Sequence, residues 1–498
     1  MILNAAQPTN GHRATLDDLF RRAGVQHPDA LALIDPPNSE RITGRAPRQL
    51  TYAEADRAIA AFAARLRAFG SQTDTVVAIQ MANTIDSVIA LLGVLRAGMI
   101  AAPLPQLWRV HDMVNALSLT GAKAIVTCSR IGAYAPAESA VRVAAELFPI
   151  RWIAGFGPDL PDGVAPLDDC IDGTVADFFQ PSTRPGMAAA HVAIITVDVT
   201  GDGLVPLARS HRELIAGGFA AVPESAPTDA NILSTIPIGS FAGIALTVIP
   251  WLIGGGTLTL HHGFDATVFA EQVRARAPSI VMLPGPALLP LADAGLLGAP
   301  TQTILGLWRT PERLAGAPPW GHEAALVDIA SFGEVGLLPA RRGSDGLSAP
   351  IPLGAVASAR GGAKADLVLE TARGKSGTLL LRGAMVPTQS FPAAVAPAPD
   401  GFRDTGYGCR IAANGKTLVL TAPPTGVTAM GYYRFSQARV DAMVAAVDAT
   451  AVIAALPDAQ LGQRLAGRAQ DGVALASELE ACGVNALITG AFRARGAA

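Results

Sequence analysis

The sequence predicts an α/β fold, with a large N-terminal domain of layered mixed sheets and helices and a small α+β domain after it. The chain has 498 residues, more than a single hydrophobic core usually organises, so at least two domains are expected. Apolar residues make up 50% of it and charged residues 16%, a balance typical of well-buried globular proteins. Short apolar strands alternate with helical patterns between Tyr52 and Thr127, which predicts a mostly parallel sheet covered on both faces.

The elements of this first part alternate in type along the chain. Apolar residues at helical spacing predict helices at 14–24, 53–70, 84–98 and 110–120. Runs of apolar and β-branched residues predict strands at 75–80, 100–104 and 124–127. A proline- and aspartate-rich stretch at 157–185 predicts a surface connection to the next part.

One later segment, Phe241 to Leu260, has no charged side chain and is long enough to cross a membrane. Pro250 and the glycines at 254–256 interrupt it, however, and favour a buried helix, a turn and a buried strand. We therefore expect no transmembrane segment. From Thr378 onward the strand patterns shorten and turns become frequent.

Composition and charge exclude several functional classes. Lys and Arg number 38 against 41 Asp and Glu, a formal charge of −3, and no basic run indicates a nucleic-acid partner. The four cysteines lie far apart without Cys-x-x-Cys spacing, which argues against zinc and against a disulfide framework. Met1 to Asn4 lack the basic start of a signal peptide, so a reducing, cytoplasmic location is expected.

His261 and His262 fit no metal-binding spacing and are expected to be surface turn residues.

The most informative stretch is ITVDVTGDGLVPLARSHRE, from Ile195 to Glu213. A β-branched strand ends near Ile195, hydroxyls, a carboxylate and glycines follow, and Ser210-His211 opens a helical pattern. This order predicts strand, loop, helix. Glycine and threonine suit a phosphate-binding loop because backbone N–H groups can approach the anion and a hydroxyl can donate to it. A strand-to-helix turn without a ligand would give the same pattern.

This stretch resembles the phosphate loop of the adenylate-forming superfamily, which includes acyl-CoA synthetases, luciferases and peptide-synthetase adenylation domains. The family's loop reads roughly Thr-Ser-Gly-Thr-Thr-Gly-x-Pro-Lys-Gly, followed by Ser/Thr-His. With one extra residue, the positions that match are Thr196, Thr200, Gly201, Ser210 and His211. The family's lysine falls on Leu204 or Val205, and Asp202 adds a negative charge where ATP would bring more.

The resemblance extends from about Leu50 to about Gly462. The segments that follow the family's order are LTYAEAD at 50–56, VLRAGMIAAPLPQLW at 94–108, and residues 232–260, 279–293, 376–386, 400–420 and 430–444. Those at 232–260 and 279–293 correspond to the walls of the family's acyl pocket. The resemblance implies a large domain at residues 1–423 and a small, shortened C-terminal domain at 424–498.

The family's acidic motif, roughly Tyr-Gly-x-Thr-Glu, corresponds here to Phe332-Gly333-Glu334. The resemblance implies that Phe332 and Gly333 contact the nucleotide, with Phe332 stacked on the purine. It makes Glu334 a candidate catalytic residue and magnesium ligand. Glu334 lies two positions early, however, and a solvated turn residue is the open alternative.

The family's ribose-binding aspartate in Thr-Gly-Asp is replaced by Tyr407. A phenol can donate to a ribose hydroxyl but cannot accept two hydrogen bonds as a carboxylate does. Asp404, just before the motif, is a possible substitute. Arg410 matches the family's following arginine and is the second candidate catalytic residue. With the four loop residues Thr196, Thr200, Gly201 and Asp202, these positions complete the implied nucleotide site.

Other family positions are absent. The signature Gly-Arg-x-Asp/Lys-Asp reads Thr-Ala-Pro-Pro-Thr at 421–425, and no lysine follows Lys416. Arg493 or Arg495 could bring a positive charge, although a guanidinium does not reproduce an ammonium. The last residues are expected to form a short terminal helix or tail.

Two functions stay open. The first is an acid–thiol ligase of fatty acid metabolism that uses ATP and magnesium to activate an apolar carboxylic acid as an acyl-adenylate, then transfers the acyl group to CoA or a carrier thiol and leaves AMP. The second is a catalytically degenerate relative that binds an acyl ligand or a partner protein. The resemblance implies a small apolar carboxylate or an acyl carrier as partner, and a homodimer is a further expectation.

Overall fold

The computed structural model describes residues 14–173, 179, 181, 186–222, 229–299, 302–357, 367–390, 400–458 and 460–493. The chain start considered for a signal peptide, Arg495, and parts of the predicted connection at 157–185 lie outside these residues.

The first part of the chain alternates helices and strands as predicted. Its helices are α1 Leu16–Gln26, α2 Ser39–Thr43, α3 Tyr52–Ala68, α4 Ile85–Arg96, α5 Val110–Thr120 and α6 Pro136–Glu146. Its strands are β1 Leu31–Ile34, β2 Gln49–Thr51, β3 Val76–Ile79, β4 Ile100–Pro103, β5 Ala124–Cys128, β6 Trp152–Phe156, β7 Val164–Pro166, β8 Val192–Thr200 and β9 Gly203–Ser210. The predicted helices and strands of this part are confirmed, with ends that differ by at most about two residues.

The helix starts in this part follow from capping chemistry. Thr15 and Asp18 exchange side-chain and backbone hydrogen bonds at the start of α1, and Thr51 and Glu54 do the same for α3. Each pair satisfies backbone N–H groups that have no partner within the helix.

The middle of the chain continues the α/β pattern and then becomes all-β. Its helices are α7 His211–Ala221, α8 Phe241–Gly243, α9 Ile249–Gly254, α10 Ala266–Arg276 and α11 Leu288–Asp293. Its strands are β10 Asn231–Ser234, β11 Thr257–Leu260, β12 Ile280–Pro284, β13 Thr303–Trp308, β14 Ala325–Phe332, β15 Gly336–Arg341, β16 Ile351–Pro352, β17 Gly354–Ala357, β18 Leu367–Arg373, β19 Thr378–Gly383, β20 Gln389–Ser390, β21 Arg403–Ile411 and β22 Thr417–Ala422.

The C-terminal part has its own sheet and core. Its strands are β23 Val427–Met430, β24 Tyr433–Ser436, β25 Val452–Asp458 and β26 Gly462–Arg468, and its helices are α12 Gln437–Val447, α13 Gly472–Ala481 and α14 Ala486–Thr489. Its apolar side chains, among them Phe435, Leu465 and Phe492, form a cluster separate from that of the large part. The predicted boundary at 423/424 falls in the connection between β22 and β23.

The strands of the described residues form four sheets. One has the order β20-β9-β8-β4-β3-β5-β6-β7 and is parallel from β8 to β7. A second has the order β15-β14-β13-β12-β10-β11-β1-β2 and is parallel from β14 to β1. A six-stranded antiparallel sheet and the four-stranded C-terminal sheet complete the architecture. The predicted mixed α/β class with a small α+β part is confirmed.

The apolar segment from Phe241 to Leu260 is interior structure, as expected. Helix α8 continues through a π-helical turn at Ile244–Val248 into α9, and β11 follows. Gly255 ends α9 in the left-handed region at φ 75°, a conformation that glycine adopts without steric cost. Among the described residues, no helix is long and apolar enough to cross a membrane.

The predicted order of strand, loop, helix for Ile195–Glu213 is wrong. The stretch forms an antiparallel hairpin of β8 and β9, in which Thr200 pairs with Gly203 across a two-residue turn. Two strand-like runs separated by a Gly-Asp pair are a hairpin signal, and Gly201-Asp202 provides that pair. The helix does begin at His211, where Ser210 and Glu213 form a capping box.

The expectation that His261 and His262 lie in a surface turn is also wrong. Both are buried. The backbone N–H of Asn83 donates to Nδ1 of His262 at 3.1 Å, and His261 Nδ1 lies 2.7 Å from Oε1 of Gln272. Burial lowers the pKa of His262 to about 4, which keeps the ring neutral and able to accept that bond.

Candidate functional site

A small cavity lies where three parts of the molecule meet. Its volume is about 60 Å³, room for roughly four to six water molecules. The walls come from the residues after β4, from β8, from the start of α8, from the ends of β13 and β14, and from the hairpin of β23 and β24. The charged side chains that line it are Asp198, Arg309, Glu334 and Arg434.

A buried ion pair joins the C-terminal hairpin to the large part at this cavity. Nη1 of Arg434 donates to Oδ1 of Asp198 at 2.7 Å, and each side chain is 9% exposed. The backbone N–H of Val199 donates to the same oxygen at 2.9 Å. Burial alone would lower the pKa of Arg434, but the Asp198 carboxylate raises it above its ordinary value. Arg434 is therefore charged at neutral pH.

Gly333 makes room for this ion pair. It has φ 57°, and a Cβ at this position would overlap Nη1 of Arg434 and the carboxylate of Asp198. Any residue other than glycine would therefore be strained and would push the pair apart. The sequence resemblance had assigned Gly333 to a nucleotide.

Glu334 occupies the start of a helix. Its Oε2 accepts a hydrogen bond of 2.7 Å from the backbone N–H of Phe241, the first residue of α8. Burial raises the pKa of this carboxyl above its ordinary value, although Arg309 and the Phe241 hydrogen bond oppose the shift. Glu334 thus fills a position where helix geometry favours an anion.

Arg209 lies fully buried beside Glu334. Its guanidinium donates to the carbonyl oxygens of Glu334 and Val335 and lies 3.8 Å from the ring centroid of Phe241. Burial lowers its pKa to about 10, so the side chain remains charged at neutral pH. Nη1 of Arg209 also donates to Oγ1 of Thr196 at 3.4 Å, which ties this predicted loop residue to the cavity wall.

Arg309 completes the positively charged side of the cavity. Nη2 donates to Oγ of Ser240 at 2.7 Å, and the guanidinium carbon lies 5.4 Å from the ring centroid of Tyr432. Among the described residues, the buried Nε–H groups of Arg309 and Arg434 have no hydrogen-bond acceptor.

Tyr407 and Phe332 pack against each other next to the charged side chains of the cavity. Tyr407 is 1% exposed and meets Phe332 edge-on at a centroid distance of 5.4 Å. Its hydroxyl donates to the carbonyl oxygen of Arg309 at 3.4 Å, and burial raises its pKa. Both rings are thus packed inside the protein. The role that the resemblance gave each toward a nucleotide stays a prediction.

The turn predicted to bind phosphate contacts the C-terminal part instead of open space. Oγ1 of Thr200 donates to the carbonyl of Gly203 at 3.1 Å, and Oγ of Ser436 donates to the carbonyl of Gly201 at 3.2 Å. A Cβ on Gly201 would overlap the carbonyl oxygen of Thr425. Gly201 therefore lies against the segment that follows β22, with Thr200 and Asp202 beside it in the same turn.

Two other predicted site residues do not line the cavity. Asp404 is exposed, and its carboxylate accepts hydrogen bonds from Oγ1 of Thr378 at 2.7 Å and from the N–H of Gly406 at 2.8 Å. Arg410 is an exposed residue of β21. Of the predicted site residues, Thr196 and Glu334 line the cavity, whereas Asp404 and Arg410 do not. Phe332, Gly333 and Tyr407 lie next to the cavity's charged side chains without lining it.

Four charged residues that line the cavity or lie beside it were not identified from the sequence: Asp198, Arg209, Arg309 and Arg434. The sequence did contain a signal for Asp198, because it lies on the same face of β8 as Thr196 and Thr200. The three arginines were harder to identify as site residues because arginine is common throughout this chain, whose 38 basic residues include only four lysines.

The residues at the cavity do not fit magnesium as they stand. Glu334 is engaged by a backbone N–H and faces two arginines. The described residues contain no group of three or more His, Cys, Asp or Glu side chains placed to hold a metal ion.

Comparisons with known proteins agree with the fold. Residues 20–153 match the family described as AMP-binding enzyme. The chain is 27% identical over 246 residues to a medium/long-chain-fatty-acid–CoA ligase of Mycobacterium tuberculosis, covering 47% of this chain and 38% of the relative. It is 26% identical over 305 residues to a phosphinothricin tripeptide synthetase of Streptomyces viridochromogenes, covering 59% of this chain and 25% of the relative. The matches thus span well under half the length of these curated relatives.

Solved structures extend the similarity to almost the whole chain. An amide bond synthetase from Marinactinospora thermotolerans superposes with a TM-score of 0.67 at 16% identity and covers 94% of both chains. A fatty acyl CoA synthetase of Mycobacterium tuberculosis gives a TM-score of 0.62 at 17% identity over 91% of this chain and 87% of that one. At these identities the superpositions show the fold. Residues 20–153 are thus similar to the AMP-binding family, and almost the whole chain shares the fold of these synthetases.

Proposed function

We propose that this chain is a superfamily member that binds a small acid in its cleft without adenylating it. The observation that carries the proposal is the buried pair of Asp198 and Arg434, for which Gly333 provides the space. This pair places side chains from both parts of the molecule where adenylation would need open space for a nucleotide.

Further contacts support a C-terminal part that stays docked. The backbone N–H of Leu107 donates to the hydroxyl of Tyr433 at 3.2 Å, and Nδ2 of Asn485 donates to the carbonyl of Leu107 at 2.8 Å. With Ser436 bonded to Gly201, the C-terminal part is held at both edges of the cavity. Opening a nucleotide site would break these bonds as well as a buried ion pair.

The missing family positions point the same way. Loss of one preorganised donor or charge in an active site costs about 10²- to 10³-fold in rate, and such losses combine when they affect one step. The loop lysine, the ribose aspartate and a lysine after Lys416 are all replaced in this chain. We infer that little adenylation remains.

The alternative is an ATP-dependent ligase that forms an acyl-adenylate and passes the acyl group to CoA or a carrier. Its support is the similarity to a fatty-acid–CoA ligase and the position of Thr196 and Glu334 at the cavity. In the described residues, Cys128, Cys170, Cys409 and Cys482 form no disulfide bond, which supports a reducing location for either function. A cytoplasmic protein and a homodimer remain part of this proposal.

Acid-dependent exchange of pyrophosphate into ATP separates the two functions. The full chain is incubated with magnesium, ATP, labelled pyrophosphate and a panel of acids from two to sixteen carbons. We expect exchange no higher than in the absence of acid. Exchange that rises with one acid and follows saturation kinetics would establish the ligase and overturn the proposal.

A further inference from the structure

The four-stranded C-terminal sheet has one long unpaired edge. Its order is β24-β23-β26-β25, so β25 (Val452–Asp458) is an outermost strand. It pairs with β26 over seven residue pairs without a register shift. Within the described part of the chain, no other strand pairs with β25. An unpaired edge presents backbone N–H and C=O groups to solvent and is a template for pairing with another chain.

This edge lacks the features that usually prevent such pairing. Residues 452–456 are five apolar residues without a charge, and the first proline and the first charge follow at Pro457 and Asp458. The other outermost strands of the described residues have only two to six residues: β2, β7, β15, β16, β17, β20 and β24. The longest of these, β15, carries Pro339 and Arg341. Short strands, prolines and charges are the usual protection of an edge, so β25 is the exception among the described strands.

The register shows which backbone groups of β25 point outward. The N–H of Gly467 on β26 donates to the carbonyl oxygen of Ala491 at 2.9 Å and so points away from β25. Gly467 is opposite Ile453, and two residues opposite each other in an antiparallel pair either both bond across it or both point away. Ile453 therefore points its N–H and C=O away from β26, and Ala455 does the same because the direction alternates along a strand. Pro457 belongs to the same set but has no N–H.

The side chains between these positions form an apolar row on the outer face of the sheet. Val452 is 64% exposed and Leu456 is 38% exposed, and Ala454 between them is exposed as well. The alternate side chains, Ile453 and Ala455, pack in or against the C-terminal core. The strand thus has a free backbone edge with an apolar surface beside it.

We propose that β25 pairs with β25 of a second copy of this chain, antiparallel, about a two-fold axis at Ala454. In this register Ile453 of each copy is opposite Ala455 of the other. Each such pair exchanges two N–H···O bonds, so no outward N–H or C=O of these residues is left unpaired. Pro457 falls opposite Ala451, whose N–H already donates to the carbonyl of Asp448.

A second copy fits this edge better in the proposed register than in its neighbour. An axis at Ala455 would set Ile453 opposite Pro457, and the Ile453 carbonyl oxygens would receive no donor. The inference rests on the homodimer of the proposed function and assigns its interface. It does not depend on whether the chain adenylates an acid.

The side chains and charges agree with this register. Val452 of one copy is opposite Leu456 of the other, and the two Ala454 side chains meet on the axis, which buries the apolar row. The nearest arginines, Arg464 and Arg468, lie on β26 opposite Leu456 and Val452. Strand β26 of one copy is three strand spacings, about 14 Å, from β26 of the other. Because the screening length is about 8 Å at physiological ionic strength, repulsion between these arginines is weak.

Sedimentation velocity of the full chain tests the interface, at protein concentrations from about 1 to about 200 μM, which bracket the expected affinity. Pairing of one strand edge makes a small interface, and small interfaces associate weakly. We expect a monomer–dimer equilibrium with a Kd on the order of 10 μM. A monomer at every concentration would overturn the proposal.

Charges at Ala454 test the position of the axis. Ala454→Lys sets two ammonium groups opposite each other and should raise the dimer Kd about fivefold or more, and Ala454→Glu should do the same with two carboxylates. A one-to-one mixture of the two variants should dimerise about as well as the native chain, because the cross-strand pair then has opposite charges. Ala422→Lys places the same charge on an exposed strand position of the large part and should leave the Kd within about twofold.

Two results with these variants would contradict the assignment. A dimer that Ala454→Lys does not weaken uses another surface. Two variants that are both weakened and do not recover when mixed show that the axis is not at Ala454. Circular dichroism checks that each variant is folded.

Amide hydrogen exchange of the native chain decides the question if a variant does not fold. The N–H groups of Ile453 and Ala455 should exchange rapidly in dilute protein and several times more slowly in concentrated protein, because only the dimer provides their acceptors. Exchange that is independent of protein concentration would overturn the interface.

The outcome is separable from that of the proposed loss of adenylation. Pyrophosphate exchange measures adenylation, and Ala454→Lys should leave it unchanged because Ala454 lies on the outer face of the C-terminal sheet. Failure of the dimer test would leave the loss of adenylation standing. Acid-dependent exchange together with the expected dimer would overturn the loss of adenylation and leave the interface standing.

Discussion

The first part of the chain resembles the AMP-binding family more closely than the residues of the cavity do. Residues 20–153 match the family, and their strands and helices are interior elements whose apolar residues could be read from spacing. At the cavity, by contrast, Asp198 and Arg434 form a buried ion pair, and Arg309 lines the same space. The fold depends on a repeated apolar pattern that tolerates many substitutions. The chemistry depends on single residues and can change while the pattern stays.

The largest effect is expected in the first part. Phe62 is fully buried, stacks on Phe156 at a centroid distance of 6.0 Å and fills the space that Gly93 leaves on α4. Phe62→Ala should lower the free energy of unfolding by about 3–5 kcal/mol, measured by urea titration with circular dichroism. The coupling energy between Asp198 and Arg434, measured by a double-mutant cycle, should be the same in the Phe62→Ala background. A change in that coupling energy would show that the two regions are coupled and would break the comparison.

Breaking the ion pair between Asp198 and Arg434 should lower the free energy of unfolding slightly less than Phe62→Ala does. Its effect should lie at the junction between the large part and the C-terminal part. Asp198→Ala leaves the Arg434 guanidinium buried without its partner, which costs about 3 kcal/mol. The double variant Asp198→Ala with Arg434→Met removes both charges and should recover a large part of that loss. A double-mutant cycle from urea titrations measures the coupling. Additive effects would show that the pair does not hold the two parts together.

Gly333 offers a sharper test with a matched control. Gly333→Ala forces a left-handed conformation on alanine and also overlaps Arg434, whereas Gly415 has φ 67° with nothing near its missing Cβ. Gly415→Ala should therefore cost about 1 kcal/mol from the backbone alone, and Gly333→Ala about 2 kcal/mol or more. Equal losses in thermal unfolding would mean that the space beside Gly333 is not needed.

The smallest effect concerns pH at the junction between the parts. Burial raises the pKa of Asp112 from 3.8 to about 6, although the N–H of Arg109 and the charges of Arg439 and Arg109 oppose it. The folded state therefore binds more protons than the unfolded state between about pH 4 and 6, and the free energy of unfolding should fall as the pH rises through that window.

Asp112→Asn should remove this fall, which we expect to be on the order of 1 kcal/mol. The exposed Asp293 serves as control, and Asp293→Asn should leave the native pH profile of urea unfolding unchanged. Parallel profiles for the native chain and Asp112→Asn would contradict the assignment.

The sequence predicts the first part well because each element depends on residues close together in the chain. Helix α3, for instance, follows from Thr51, Glu54 and an apolar stripe. The hairpin of β8 and β9 was also predictable from Gly201-Asp202, but the resemblance to a phosphate loop favoured another interpretation. Asp198 and Arg434 are 236 positions apart, as distant partners usually are at a site made by two domains. Spacing carries no information about such pairs, and the buried state of His262, bonded 179 positions away to Asn83, was missed for the same reason.

The central claim is that the cleft is filled by the protein's own charged side chains and no longer receives a nucleotide. Calorimetric titration of the full chain with ATP and excess magnesium tests it most directly, on protein shown to be folded by circular dichroism. We expect an ATP Kd in the high micromolar range or weaker, as an order of magnitude. A Kd in the low micromolar range would contradict the claim, and would show that the C-terminal hairpin leaves the cleft when ATP binds.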